Sequence, residues 1–279
     1  MTDHSPLSKE DYTDPQCPFC TDAYQKKPPV RPIPTARVIE KLDDFLARND
    51  YAGAERLLLY WAREAELGSD LRGEFQMCNE LMGLYRKLGK KNEAMKNADR
   101  ALALIEEAGI GESVAAGTAY INAATVRKAF GMAADGIPYF EKARVIYEAN
   151  LKPDDPRLAG LYNNMGLALT DLGRFSEARI LYGKAISIMS QVPNGEPEAA
   201  VTYLNLANLE EAEKGLENGS EAIDACLAAA HDLLETGTLP QDGNYAFVCE
   251  KCAPTFGYYG HFAYAAELTE RANGIYERT

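Results

Sequence analysis

The stretch Tyr162–Ile188, YNNMGLALTDLGRFSEARILYGKAISI, decides the fold. Apolar residues recur at helical spacing on both sides of Gly173, so the stretch holds two amphipathic helices. A glycine between them ends the first helix in a left-handed conformation that costs it nothing. Two small residues, Ala178 and Ala185, then fall seven positions apart on the second helix. They let the facing backbones approach, and the whole reads as one helical hairpin.

The same frame recurs along the chain. CNELMGLYRKLGKKNEAMKNADRALAL starts at Cys78, and YINAATVRKAFGMAADGIPYFEKARVI starts at Tyr120. The glycine anchors are Gly89, Gly131, Gly173 and Gly260. The first small residues are Ala94, Gly136, Ala178 and Ala265, and the second are Ala101, Ala143, Ala185 and Ala272. An earlier unit puts Asn49 in the glycine place, ahead of Ala54. A fifth, YLNLANLEEAEKGLENGSEAIDACLAAA, reaches Ala222 and Ala229 through a longer stretch. First small residues at 54, 94, 136, 178, 222 and 265 give spacings of 40, 42, 42, 44 and 43. One hairpin cannot bury its own apolar face, but six stacked at a steady period bury a continuous core. The surplus residues of the fifth unit are expected to lengthen its first helix or its loop. Pro254 is expected to kink the first helix of the sixth unit, and Pro138 to disturb a second helix more mildly.

The frame small-x6-Gly-x4-Ala-x6-Ala, as in Gly166, Gly173, Ala178 and Ala185, resembles the tetratricopeptide repeat family. The period exceeds the family's usual value of about 34. It resembles the longer repeats of kinesin light chains, which also favour paired asparagines in the first helix, here Asn163 and Asn164. The resemblance covers roughly Ala36 to Arg278. It implies an all-α, right-handed superhelix of about six hairpins over 35–279, behind a proline-rich N-terminal tail, 1–34. It also implies a scaffold or adaptor that holds an extended protein segment along the first helices, which line the concave face. Asn122, Asn164 and Asn205 each stand two residues before the small first-helix position, in three successive units. An asparagine amide both donates and accepts, which suits capture of a peptide backbone. The resemblance implies that role for these three, and the competing reading is an asparagine that ties neighbouring helices together. Asn79, Arg86, Lys128, Asn163, Asn208 and Tyr258 are expected to face the same groove, with Gln76, Thr170, Asp171 and Glu211 beside them. Arg86 and Lys128 suit an acidic ligand group. The clamp that other family members use for a terminal carboxylate is incomplete here, since Ile121, Thr125 and Gly83 occupy its places.

Composition narrows the alternatives. A net charge of -13 repels phosphate backbones, so nucleic acid is not an expected partner. The longest apolar run, LLLYWA at Leu57–Ala62, is far shorter than the roughly 20 residues of a membrane span. The polar start MTDHSPLSKEDYTD lacks the character of a secretory signal, so a cytoplasmic, reducing location is expected. Seven of the 14 prolines lie in the tail, where KKPPVRPIPT is expected to run extended. A tethered extended segment is also a candidate self-ligand of the groove. Deleting Met1–Pro34 would then raise the affinity for an external ligand.

Six cysteines remain. Cys78, Cys226, Cys249 and Cys252 fall on core positions of the repeat and read as small buried hydrophobes. Cys17 and Cys20 lie outside the repeats. They read as incidental tail thiols, with a zinc or dithiol switch as the alternative. No cofactor is expected. None of the three histidines forms a helical metal pair, and AGIGES at Ala108–Ser113 reads as a helix end, so no enzyme is expected. A further alternative is a peptide-sensing regulator that acts on a separate effector.

Overall fold

The computed structural model describes residues 30–237 and 239–278. The described residues form eleven helices and no strand: α1 (Thr35–Ala47), α2 (Tyr51–Leu67), α3 (Leu71–Lys87), α4 (Lys91–Glu107), α5 (Val114–Ala129), α6 (Ala133–Asn150), α7 (Pro156–Asp171), α8 (Phe175–Met189), α9 (Glu196–Leu234), α10 (Gly243–Tyr258) and α11 (Phe262–Tyr276). Helix α9 is two arms, 196–214 and 216–234, broken at Gly215 with φ 76° and ψ 165°. Counting those arms separately gives six hairpins, the number that the period predicts.

Local chemistry sets the hairpins. Most first helices begin on a side-chain cap: Asp70 accepts from Gly73 N at 3.0 Å, Ser113 from Ala116 N at 3.1 Å and Asp242 from Tyr245 N at 3.0 Å. They end on a left-handed residue, Asn49, Gly89, Gly131, Gly173, Gly215 or Gly260, with φ between 54° and 88°. The amide three positions past the helix then returns to the last turn, as Arg174 N does to Leu169 O at 2.9 Å. Asn49 fills the glycine place because asparagine tolerates this conformation better than other side-chain-bearing residues.

One expectation is corrected in the fifth unit. Its first arm, 196–214, is lengthened, as expected. Its packed small residues are not Ala222 and Ala229, which are only half-buried. The buried face carries Gly219, Ile223, Cys226 and Ala230, and Gly219 lies against the Glu210 carbonyl. Gly219 and Cys226 are seven apart, as in the other units. The larger spacing therefore moves to the connection between α9 and α10. Pro138 and Pro254 both lie inside helices that continue past them.

Each helix packs on its neighbours in chain order. First helices also touch the next first helix, α3 on α5, α5 on α7 and α7 on α9, whereas second helices make no comparable contact. The first helices therefore occupy the tighter, inner side of the solenoid. Before α1 the chain lies on the turn between α2 and α3. Arg31 N donates to Gly68 O at 2.9 Å, and Ile33 N to Asp70 Oδ2 at 2.9 Å.

Cys78, Cys226, Cys249 and Cys252 are buried core residues. Burial pushes the thiols of Cys78 and Cys252 up to about 12 and that of Cys226 up to about 11. Cys17 and Cys20 lie outside the described residues. In the folded protein at most two of the six thiols should therefore react with a chromogenic disulfide reagent. All six should react once the chain is unfolded. A third thiol reacting at once would contradict this burial.

Candidate functional site

The position two residues before the small first-helix residue is the spine of the inner face. Through the units it reads Glu80, Asn122, Asn164, Asn205 and Lys251. The asparagines do not all stand free. Asn122 Nδ2 lies 3.5 Å from Asn79 Oδ1, and Asn205 Nδ2 donates to Asn163 Oδ1 at 2.9 Å. These pairs join α3 to α5 and α7 to α9, so Asn79, Asn122, Asn163 and Asn205 serve as clasps between repeats. This favours the competing reading for Asn122 and Asn205. Asn164 Nδ2 donates to Gly160 O of its own helix at 2.8 Å.

Other expected groove residues are engaged too. Lys128 Nζ pairs with Asp171 at 3.5 Å. Tyr258 and Tyr259 donate to the two oxygens of Glu211 at 2.6 and 2.7 Å, and Tyr259 Oη also lies 3.1 Å from Asn208 Oδ1. Asn208, Glu211 and Tyr258 thus form a latch that holds the end of α10 on α9. Arg86 is exposed and has no hydrogen bond or ion pair among the described residues.

What the structure brings together is a cleft of about 380 Å³ at the C-terminal part of the inner face. Helix α7 contributes Pro156, Ala159, Gly160, Asn163 and Asn164, and α9 contributes Glu198, Val201 and Thr202. Met189 comes from the end of α8, Val192 and Asn194 from the connection after it, and Asn244, Phe247, Val248 and Lys251 from α10. Its walls are mostly apolar, and Phe247 is 55% exposed. Within it, Asn163 keeps its Nδ2 donor, since Asn205 takes only its oxygen. Asn164 keeps its oxygen. Glu198, the only carboxylate lining the cleft among the described residues, accepts from Asn244 Nδ2 at 2.9 Å.

Both charged ends of the spine are perturbed. Burial is the main cause that raises the Glu80 carboxyl, despite a hydrogen bond from Gln76 at 2.6 Å. Desolvation is the main cause that lowers the Lys251 ammonium; repulsion from Arg86 of α3 adds to it, and Cys252 and Glu198 oppose it. Sequence reasoning missed Phe247, Val248, Asn244 and Lys251. The signal for Lys251 was present, since it holds the same register before Ala253 that Asn164 holds before Gly166.

Residues 115–191, which span α5 to α8, match the family model described as tetratricopeptide repeat. Comparison with curated protein sequences returns no match. Among solved structures, the chain is similar to BtubC (BKLC) from P. vanneervenii, at 19% identity and a TM-score of 0.54, over 82% of this chain and 90% of that one. It is also similar to a Podosopora anserina structure described as "kinesin light chain nearly identical TPR-like repeats". That match has 18% identity and a TM-score of 0.50, over 72% of this chain and 94% of that one. These likenesses are of fold. They bear out the resemblance and the all-helical solenoid read from the repeat.

Proposed function

We propose that this chain of tetratricopeptide repeats is a peptide-binding scaffold, and that an extended protein segment lies along its inner face and is anchored in the cleft between α7, α9 and α10. Such repeats are in general protein-interaction scaffolds. One observation carries the finer reading. The apolar-walled cleft opens beside Asn163 and Asn164, which between them keep one free amide donor and one free acceptor. A peptide backbone needs that pairing, and the Phe247 ring gives a side chain of the ligand an apolar surface.

The reading reassigns work among the asparagines. Asn164 contacts ligand, whereas Asn122 and Asn205 hold the spacing of the helices. The test is selection of binders from a displayed library of random linear peptides. Selected peptides should lose at least about tenfold in affinity for an Asn164→Ala, Phe247→Ala double variant, since a loss of 1.4 kcal/mol is one decade. Peptides that bind both proteins equally would place the site elsewhere. The tail enters as a competitor in the same assay. Residues 1–29 lie outside the described residues, and their removal is expected to tighten binding of the selected peptides.

A further inference from the structure

The two ends of the described stack are finished differently. Two places on a first helix lie 12 and 8 residues before its left-handed turn. They hold buried apolar residues in α3 (Met77, Leu81), α7 (Leu161, Met165) and α10 (Val248, Cys252). In α1, which opens the stack, the same places hold Arg37 and Lys41, both exposed. A charged outer face of this kind is a cap that turns the first unit toward water. The last unit has no such cap. One row of the second helices lies 4 and 11 residues past the first small residue. It is buried in α6 (Phe140, Tyr147), in α8 (Tyr182, Met189) and in the second arm of α9 (Ile223, Ala230). In α11 the same row falls on Thr269 and Tyr276, and both are exposed. With Phe262, Ala266 and Asn273, also exposed, they make an uncharged stripe spaced 4, 3, 4 and 3. That is the spacing of a seam between two helices. Phe262, at 74%, is the most exposed large apolar side chain among the described residues.

We propose that this stripe is a self-association surface, on which two copies of the chain pair α11 against α11 about a two-fold axis near Thr269. Three observations select a second copy. The capped N-terminal end offers the stripe no apolar counterpart, so copies do not stack head to tail. Only the closed, isologous arrangement uses the same face twice. Two chains of net charge -13 repel each other, and they meet least repulsion through a face without charge. Helices that cross at an angle come closest at the crossing point and diverge toward their ends. The smaller Ala266 and Thr269 lie near the axis, where the backbones must approach. The large Phe262 and Tyr276 stand at the ends, where Phe262 of one copy comes beside the partner's Tyr276 and fills the widening gap. The stripe shares no residue with the cleft, so the pairing neither needs the peptide-binding reading nor fails with it.

The full chain is followed by sedimentation velocity from the micromolar range upward. Its mass should rise to that of two chains and go no further. Thr269→Arg sets like charges against each other at the axis, from an exposed position that the fold does not need. It should weaken the association at least about tenfold while the circular dichroism spectrum stays helical. Glu270 flanks the middle of the stripe, where the two-fold axis brings it near its own copy, so Glu270→Gln should tighten the association. Arg37→Gln, at the capped end, should leave it unchanged. A wild-type chain that stays monomeric at the highest concentration overturns the proposal and assigns the face to a different protein. A dimer that Thr269→Arg leaves intact overturns it too, as does a dimer that Glu270→Gln weakens. Growth beyond two chains, or a dimer that Arg37→Gln dissociates, would mean head-to-tail stacking in place of the two-fold pair.

Discussion

Replacing Gly166 by alanine will destabilise the fold by about 1–3 kcal/mol, the usual cost of forcing a methyl into a packed core. In an exposed helix interior the same change is worth up to about 1 kcal/mol in the opposite direction. At Gly166 packing wins. An added Cβ would lie 2.6 Å from Cε1 of Tyr182, a ring that is fully buried. The ring cannot swing away freely, since its hydroxyl lies 3.3 Å from Thr170 Oγ1, which itself donates to Gly166 O at 2.9 Å. Gly183, in the middle of α8, is the control, because a Cβ there meets nothing within 4 Å. Gly183→Ala should stabilise by up to about 1 kcal/mol. Denaturant unfolding of the two variants beside wild type separates the signs. If both move the midpoint upward, Gly166 is not a packing glycine and the hairpin contact has been misjudged.

That pair of glycines shows why the fold was legible. Its determinants are local and repeat: a left-handed residue at the turn, and small residues where helices cross. Each therefore appears in the sequence several times at one period. The frame fails where local chemistry offers two registers. In the fifth unit Ala222 and Ala229 satisfy the small-residue pattern as well as Gly219 and Cys226 do. What decides is the placement of the Gly215 turn and the burial of Ile223 and Ala230, and neither is visible in a count of alanines.

The site was less legible, for a different reason. Register along a first helix shows which residues face inward but not what they touch. Asn122 and Asn164 are equivalent by sequence. Yet one meets Asn79 of the preceding unit and the other bonds to its own helix. The difference lies in residues 43 positions away: Asn79 is available to Asn122, and Ile121, the counterpart of Asn163 one unit earlier, offers Asn164 no polar partner. Likewise, Tyr258 faced the groove by register, but Glu211 and Tyr259 complete a latch around it. Contacts between units that depend on the particular pair do not repeat, so periodicity carries no trace of them.

The second large effect is expected at the clamp between α8 and α9. Glu210 is almost fully buried and accepts from Arg179 Nη2 at 2.7 Å and Nε at 3.1 Å, with Lys214 Nζ 2.7 Å from its other oxygen. Arg179 also reaches Glu213 at 2.6 Å. Removing one partner of a buried pair costs about 3–5 kcal/mol when the remaining charge is stranded. Here Lys214 stays and Arg179 is 37% exposed, so Arg179→Met should cost about 1–3 kcal/mol at neutral pH, discounted for solvent screening. The pH dependence identifies the cause. Burial alone would raise the Glu210 carboxyl, but Lys214 and Arg179 outweigh it and hold the group below its ordinary value. A carboxylate lowered in this way stabilises the fold above its unfolded pKa of about 4.3, and that contribution fades as pH falls through the lower folded value. The gap between wild type and Arg179→Met should therefore be full at pH 7 and shrink below about pH 4, where Glu210 takes up a proton. The double variant Arg179→Met, Glu210→Leu should recover most of the loss, because the charges it leaves, Lys214 and Glu213, have side chains 44% and 30% exposed to water and the buried space fills with apolar atoms. Urea unfolding of the three proteins across that pH range tests this. A gap that stays constant from neutral to acid pH would mean that Arg179 contributes its packing stem and not its charge.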